Sequence, residues 1–178
     1  LKETFYSDAA LLEQADYLMR VGIHDPSKDN PFRGWSCVFV SYVTGDFHVG
    51  NGDFHYTASD GSPAVVHHHG YRNYRRLMDI VIKHIAPPEK LLVTGFSEGA
   101  FAAAALTSDV MDCFPSCRDV TCCPDSALLL HDDWRNIARN VWHAEEKFWK
   151  PLRSRNLFLD WMRGLHGEKG ESVKYLYI

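Results

Sequence analysis

The chain has 178 residues and a formal net charge of −4, with no run of lysine or arginine; this excludes a nucleic-acid binder whose affinity rests on neutralising phosphates. Hydrophobic residues make up 46% and charged residues 24%, which suits one globular domain with a sizeable core. No stretch reaches the ~20 consecutive apolar residues of a membrane-spanning helix.

The first predicted element is a helix from Ser7 to Arg20. Ser7 or Asp8 caps it, Leu11, Leu12, Ala15, Leu18 and Met19 share one face, and Gly22 ends it. After a polar, proline-containing loop, Cys37 to Val43 (C-V-F-V-S-Y-V) is a near-continuous apolar run. Such a run reads as a strand covered on both faces, as in a parallel sheet. Thr44 to Ser62 is rich in glycine and aromatics and reads as a long loop at the carboxyl end of that strand, where open α/β sheets place ligands. Gly45, Asp46 and His48 are candidate pocket residues there, with His55 beside them. The equally weighted alternative is an ordinary polar loop.

A helix is expected from Tyr71 to Ile85, stopped by Ala86-Pro87-Pro88. A β-run from Leu91 leads through G-x-S-x-G into a small-residue helical run that carries alanines 102 to 105. A short strand follows at Val120–Cys123. A helix capped by Asp132 or Asp133 carries Trp134, Ile137, Ala138, Val141 and Trp142 on one face. Another runs from Asn156 to Leu165, its end marked by Gly164 and Gly167, and Ser172 to Ile178 is a final strand. Alternation of helix and strand predicts an α/β fold: a mostly parallel sheet with helices on both faces, in a single three-layer domain.

The stretch V-T-G-F-S-E-G-A (Val93–Ala100) carries the chemistry. It places G-x-S-x-G between an apolar strand and a helix, the arrangement of a nucleophile elbow. Gly95 and Gly99 let strand and helix approach, and Ser97 sits in the strained turn. The other reading is an ordinary strand–helix turn whose serine caps the helix. A nucleophilic serine needs a histidine to take its proton and a carboxylate to orient that histidine. The backbone N–H of Glu98, directly after the serine, would supply one oxyanion donor. In the α/β-hydrolase order the acid follows the second strand after the elbow, and the histidine follows later. Counting strands puts the acid and histidine beyond Ile178 and the glycine-rich oxyanion loop before Leu1, so the chain is expected to be an incomplete portion of the full domain. Within the chain, Asp125 is the alternative acid; His131, His143 and His166 follow the serine but fall in helical segments.

Five cysteines, Cys37, Cys113, Cys117, Cys122 and Cys123, fit a complete disulfide framework poorly. A Cys113–Cys117 pair is conceivable; Cys122 and Cys123 read as small apolar residues on opposite faces of one strand. The spacing is not that of a zinc site. His67-His68-His69 invites a metal reading, but three adjacent residues do not all point at one ion, so no metal and no cofactor is expected.

Four segments together are more specific than G-x-S-x-G alone. W-S-C-V-F-V-S-Y-V-T-G-D-F-H-V-G-N (Trp35–Asn51), V-V-H-H-H-G-Y-R-N (Val65–Asn73), the elbow, and C-P-D-S (Cys123–Ser126) resemble the pectin acetylesterase / Notum family. The resemblance covers Trp35 to Ser126 well and the rest loosely. It implies a cofactor-free serine carboxylesterase of the α/β-hydrolase fold with Ser97 as nucleophile. The implied substrate is an acetyl ester on a polysaccharide, and the implied location extracellular, whereas the sparse cysteines also fit the cytoplasm. Glu98 departs from the S-A-G common at the family's elbow: the backbone donor survives, but a carboxylate is added. The alternative function is a non-catalytic carbohydrate- or protein-binding module on the same fold.

Overall fold

The computed structural model describes residues 12, 13, 16–18, 20–25 and 29–178, and the chain divides into two compact units, Leu1–Val43 and Thr44–Ile178. In the first unit, residues 12, 13 and 16–18 are helical; the rest of the predicted helix lies outside the described residues, apart from Arg20, which is a turn. Asn30 organises the following turn: its Nδ2 donates to the Ile23 carbonyl at 2.6 Å and its Oδ1 accepts from the Phe32 N–H. Residues 37–43 do not form the expected strand. Apolar, β-branched residues favour extended backbone, but a strand exists only where a neighbour completes the hydrogen-bonded ladder. Here Val38, Phe39 and Val43 are each more than a third exposed.

The second unit holds two sheets. Strands β1 (Gly52–Thr57) and β2 (Pro63–His68) form an antiparallel hairpin; β1 lies inside the Thr44–Ser62 stretch read as loop, and β2 directly follows it. Its turn is closed by Ala58 N–H to Ser62 O and by Asp60, which accepts from both the N–H and the hydroxyl of Ser62. Helix α1 (Gly70–His84) follows. Strand β3 (Lys90–Phe96), helix α2 (Glu98–Cys113) and strand β4 (Asp119–Asp125) form a parallel β–α–β unit, and β5 (Val173–Tyr175) pairs parallel to β4. The sheet order is β3-β4-β5, so the α/β class and the parallel sheet hold.

Alternation along β4 buries Val120, Cys122 and Pro124 and leaves Thr121, Cys123 and Asp125 partly open. Cys122 Sγ approaches the Ala103 carbonyl at 3.8 Å, because the alanines of α2 let the helix lie close on the sheet. The two adjacent cysteines therefore do face opposite ways. Helix α3 (Leu157–Lys169) packs on α2, and α1 is tied to α2 through Tyr71 and Arg75. On the other face Thr94 and Phe96 are exposed, Phe96 at 53%, so the expected second helical layer is not found among the described residues. The α3 helix also runs past Gly164 and Gly167 and stops at Gly170, whose φ of 51° and ψ of −131° form a backbone conformation that glycine enters without steric cost. Its start is as predicted, with Asn156 Oδ1 accepting from the Leu159 N–H. The segment read as one helix from 132 is a single turn, Trp134–Asn136, continued by a π-turn, Ile137–Val141; Trp134, Ala138 and Trp142 are the buried positions.

The aromatic core centres on Phe47. Its ring stacks on Phe101 at 4.6 Å and meets Trp142, Trp134 and Trp161 edge-on at 5.5, 6.4 and 6.3 Å. Each such pair adds about 0.5–1.5 kcal/mol beyond area burial. Residues 46–50 are all buried, so this part of the stretch read as loop is core.

Candidate active site

Ser97 joins β3 to α2 with φ 51° and ψ −118°, a region that non-glycine residues enter at a cost of about 1–3 kcal/mol. The surroundings hold it there. Its N–H donates to the Asp125 carbonyl at 3.0 Å and its carbonyl accepts from the Ala100 N–H at 3.0 Å. Gly95 makes the turn possible: a Cβ there would stand 2.8 Å from Gly99 Cα and closer still to the Gly99 carbonyl. The result is an exposed serine at the carboxyl end of a parallel strand, immediately before a helix N-terminus. Glu98 is the first helical residue and its side chain is exposed; N–H groups of a first helical turn have no partner within the helix.

The candidate partners of Ser97 are engaged elsewhere. The Asp125 carboxylate accepts from the Ser126 hydroxyl at 2.7 Å. His131 Nδ1 accepts from the Asp133 N–H at 3.0 Å and its ring lies 5.4 Å from that of Trp134. His166 packs on Tyr175 at 5.5 Å. His143, at φ 50°, abuts Gly52. Among the described residues no histidine or carboxylate hydrogen-bonds the Ser97 hydroxyl. Beyond β5 the ladder continues, with Leu176 and Ile178 N–H groups donating to the Cys122 and Pro124 carbonyls and Ser126 N–H donating back to Ile178 O.

Asp46 is wholly buried. Its Oδ1 accepts from the Thr44 hydroxyl at 2.6 Å and the His48 N–H at 3.0 Å; its Oδ2 accepts from the Gly70 N–H at 2.8 Å. The carboxylate thus clamps the 44–50 loop to the start of α1, and a glycine is required at 70 because a Cβ would stand 2.7 Å from His48 Cα. This is an internal tie: no solvent reaches the Asp46 side chain. Gly45 is exposed with φ 65°, and His48 is 6% exposed with φ 60°. Burial holds the His48 imidazole below its ordinary pKa, with the Asp46 charge partly opposing that. His55 lies on β1, opposite Val65. A shallow hollow of about 740 Å³, lined by Lys147, Lys150, Arg153, Asp160 and Arg163 among others, includes neither Ser97 nor this loop.

A second polar network was not legible in the sequence. Buried Asp109 of α2 accepts from the Tyr71 hydroxyl at 2.6 Å and from Lys147 Nζ at 2.7 Å, with Arg75 at 3.8 Å. Burial and the Asp109 acceptor push the Tyr71 phenol up to about 12. The cysteines are all free; Cys113 takes a contact from Arg75, and Cys117 points at the Glu89 and Asp119 carbonyls, so the conceivable Cys113–Cys117 bridge is absent.

The family model for pectinacetylesterases matches residues 12–150. This span takes in the 44–50 loop, the hairpin, the elbow and β4. The chain belongs to the pectinacetylesterase family. Membership places it among carboxylic ester hydrolases at the level of the family. No curated protein and no solved structure matches the chain. Among the described residues no helix is long and apolar enough to cross a membrane.

Proposed function

We propose that the chain is a serine carboxylesterase that removes acetyl groups from a carbohydrate through an acyl-Ser97 intermediate. The observation that carries this reading is the backbone of Ser97: φ 51°, ψ −118°, between a parallel strand and a helix, in a member of the pectinacetylesterase family. In the reaction Ser97 Oγ bonds to the ester carbonyl carbon while a base takes its proton, and the Glu98 N–H faces the oxyanion. Collapse breaks the bond to the sugar oxygen, which takes the proton. Water then repeats the sequence on the acyl-serine and releases acetate. The reading places the β3-β4-β5 sheet in a larger α/β-hydrolase sheet. It takes the histidine and acid from beyond residue 178 and the second oxyanion donor from before residue 1. Gly45 and His48 are proposed to border the substrate pocket. An extracellular setting goes with the proposal.

The second reading, a carbohydrate- or protein-binding module, is favoured by one observation: among the described residues no histidine or carboxylate hydrogen-bonds the Ser97 hydroxyl. One experiment separates the two. Full-length protein is treated with a fluorophosphonate probe, the modified residue is mapped by mass spectrometry, and p-nitrophenyl acetate turnover is measured. Labelling at Ser97, with turnover abolished in Ser97→Ala, is the expected result. A folded full-length protein that neither labels nor turns over leaves the binding module.

A further inference from the structure

We propose that Asp53, His67 and His69 form a zinc-binding site on the outer face of the β1–β2 hairpin. The hairpin register sets Asp53 directly opposite His67. Side chains alternate along an extended strand, so His68, the last residue of β2, turns inward while His67 faces out; His69, just past the strand, reaches the same Asp53 carboxylate with its Nε2. The His68 Nδ1 hydrogen-bonds the Thr44 carbonyl at 3.0 Å and the residue is 7% exposed. Adjacency therefore removes one of the three histidines from the group and leaves the other two in it.

The two outer rings converge on one carboxylate oxygen. His67 Nδ1 lies 2.8 Å and His69 Nε2 2.7 Å from Asp53 Oδ1, and the three ligand atoms all fall within 4.8 Å of one another. Around a tetrahedral zinc with bonds of about 2.0–2.1 Å, neighbouring ligand atoms stand about 3.3 Å apart. Reaching that spacing means opening the two His–Asp contacts by about half an ångström and bringing the two ring nitrogens, which lie within 4.8 Å of each other, to the same separation. Two imidazoles and one carboxylate are a donor set suited to zinc. Partial exposure of all three side chains (28% for His69, 42% for Asp53, 63% for His67) leaves a fourth position for water.

The ligands come from both strands of the hairpin and from the residue that caps α1. Metal binding would therefore staple β1, β2 and the start of α1 together. Ligation of the folded state alone raises stability in step with free metal. A plain His–Asp ion pair makes no such prediction. The site stands apart from Ser97 chemistry, so its test does not depend on the esterase reading.

The test uses tag-free full-length protein, stripped with a chelator and titrated with zinc chloride by calorimetry, with thermal unfolding followed in parallel. Saturable binding of one zinc per chain is expected, with a melting temperature that climbs as free zinc rises. Asp53→Asn, His67→Ala and His69→Ala should each weaken binding roughly tenfold or more. His55→Ala, on the same strand face but outside the group, should leave it unchanged. Circular dichroism checks that these surface variants remain folded. Absence of saturable uptake, or uptake unaltered in the His67→Ala/His69→Ala double variant, overturns the proposal.

Discussion

Gly95 meets the Gly99 backbone where β3 turns into α2: a methyl group on Gly95 has no room, whereas one on Gly99 would point into open space. Ser97 is held in its strained conformation by that approach. Gly95→Ala must push the helix off the strand, at a cost of about 1–3 kcal/mol by analogy with overpacked cores. A lower urea midpoint with an unchanged m-value is the expected signature, accompanied by loss of fluorophosphonate labelling. A variant that labels and unfolds like the parent would show that the elbow does not depend on this contact.

Asp46 satisfies three donors with one buried side chain. Asp46→Ala strands the N–H groups of His48 and Gly70 and the Thr44 hydroxyl, and should cost about 3 kcal/mol or more, since each buried unpaired group costs about 1–3 kcal/mol. Asp46→Asn keeps the shape and one acceptor oxygen and should cost less. Chemical denaturation of both variants orders them; equal losses would contradict the clamp.

His48 should make stability depend on pH. Its folded pKa is lowered by burial, so as pH falls through the unfolded value of about 6.5 the unfolded chain binds a proton that the folded chain refuses. Stability contributed by the neutral ring is whole above that value and is lost as pH falls toward the folded one. Thermal midpoints measured from pH 7.5 to 5 should drop more steeply for the parent than for His48→Asn, which keeps a residue tolerant of positive φ. Parallel curves would show that His48 does not titrate in this window.

Tyr74 is 3% exposed, and its hydroxyl has no hydrogen-bond partner among the described residues. Tyr74→Phe removes a desolvated, unpaired group and should leave stability unchanged or raise it by about 1 kcal/mol. Tyr71→Phe is the contrast: it takes a donor from buried Asp109 and should destabilise. Urea midpoints of the two variants should move apart; a shared direction would contradict the assignment of which phenol is paired.

Local sequence determined the elements whose signals are local. The apolar β-run, the small residues of G-x-S-x-G and the alanines after it dictate a strand, a tight turn and a close-packed helix, and β3, Ser97 and α2 stand where those residues put them. Asn156 marked a helix start in the same way. Tertiary structure decided whatever depends on a partner distant in sequence. Residues 37–43 have strand composition but no ladder neighbour among the described residues, so they form no strand. Asp46 reads as a polar loop residue until Gly70, 24 positions on, is seen to donate to it. Asp109 is unremarkable on its helix until Tyr71 and Lys147 close on it. The His67–His69 run shows its chemistry only when the hairpin register supplies Asp53. Hydrogen bonds and packing between distant segments cannot be read from periodicity, because periodicity says which way a side chain points and not what it meets.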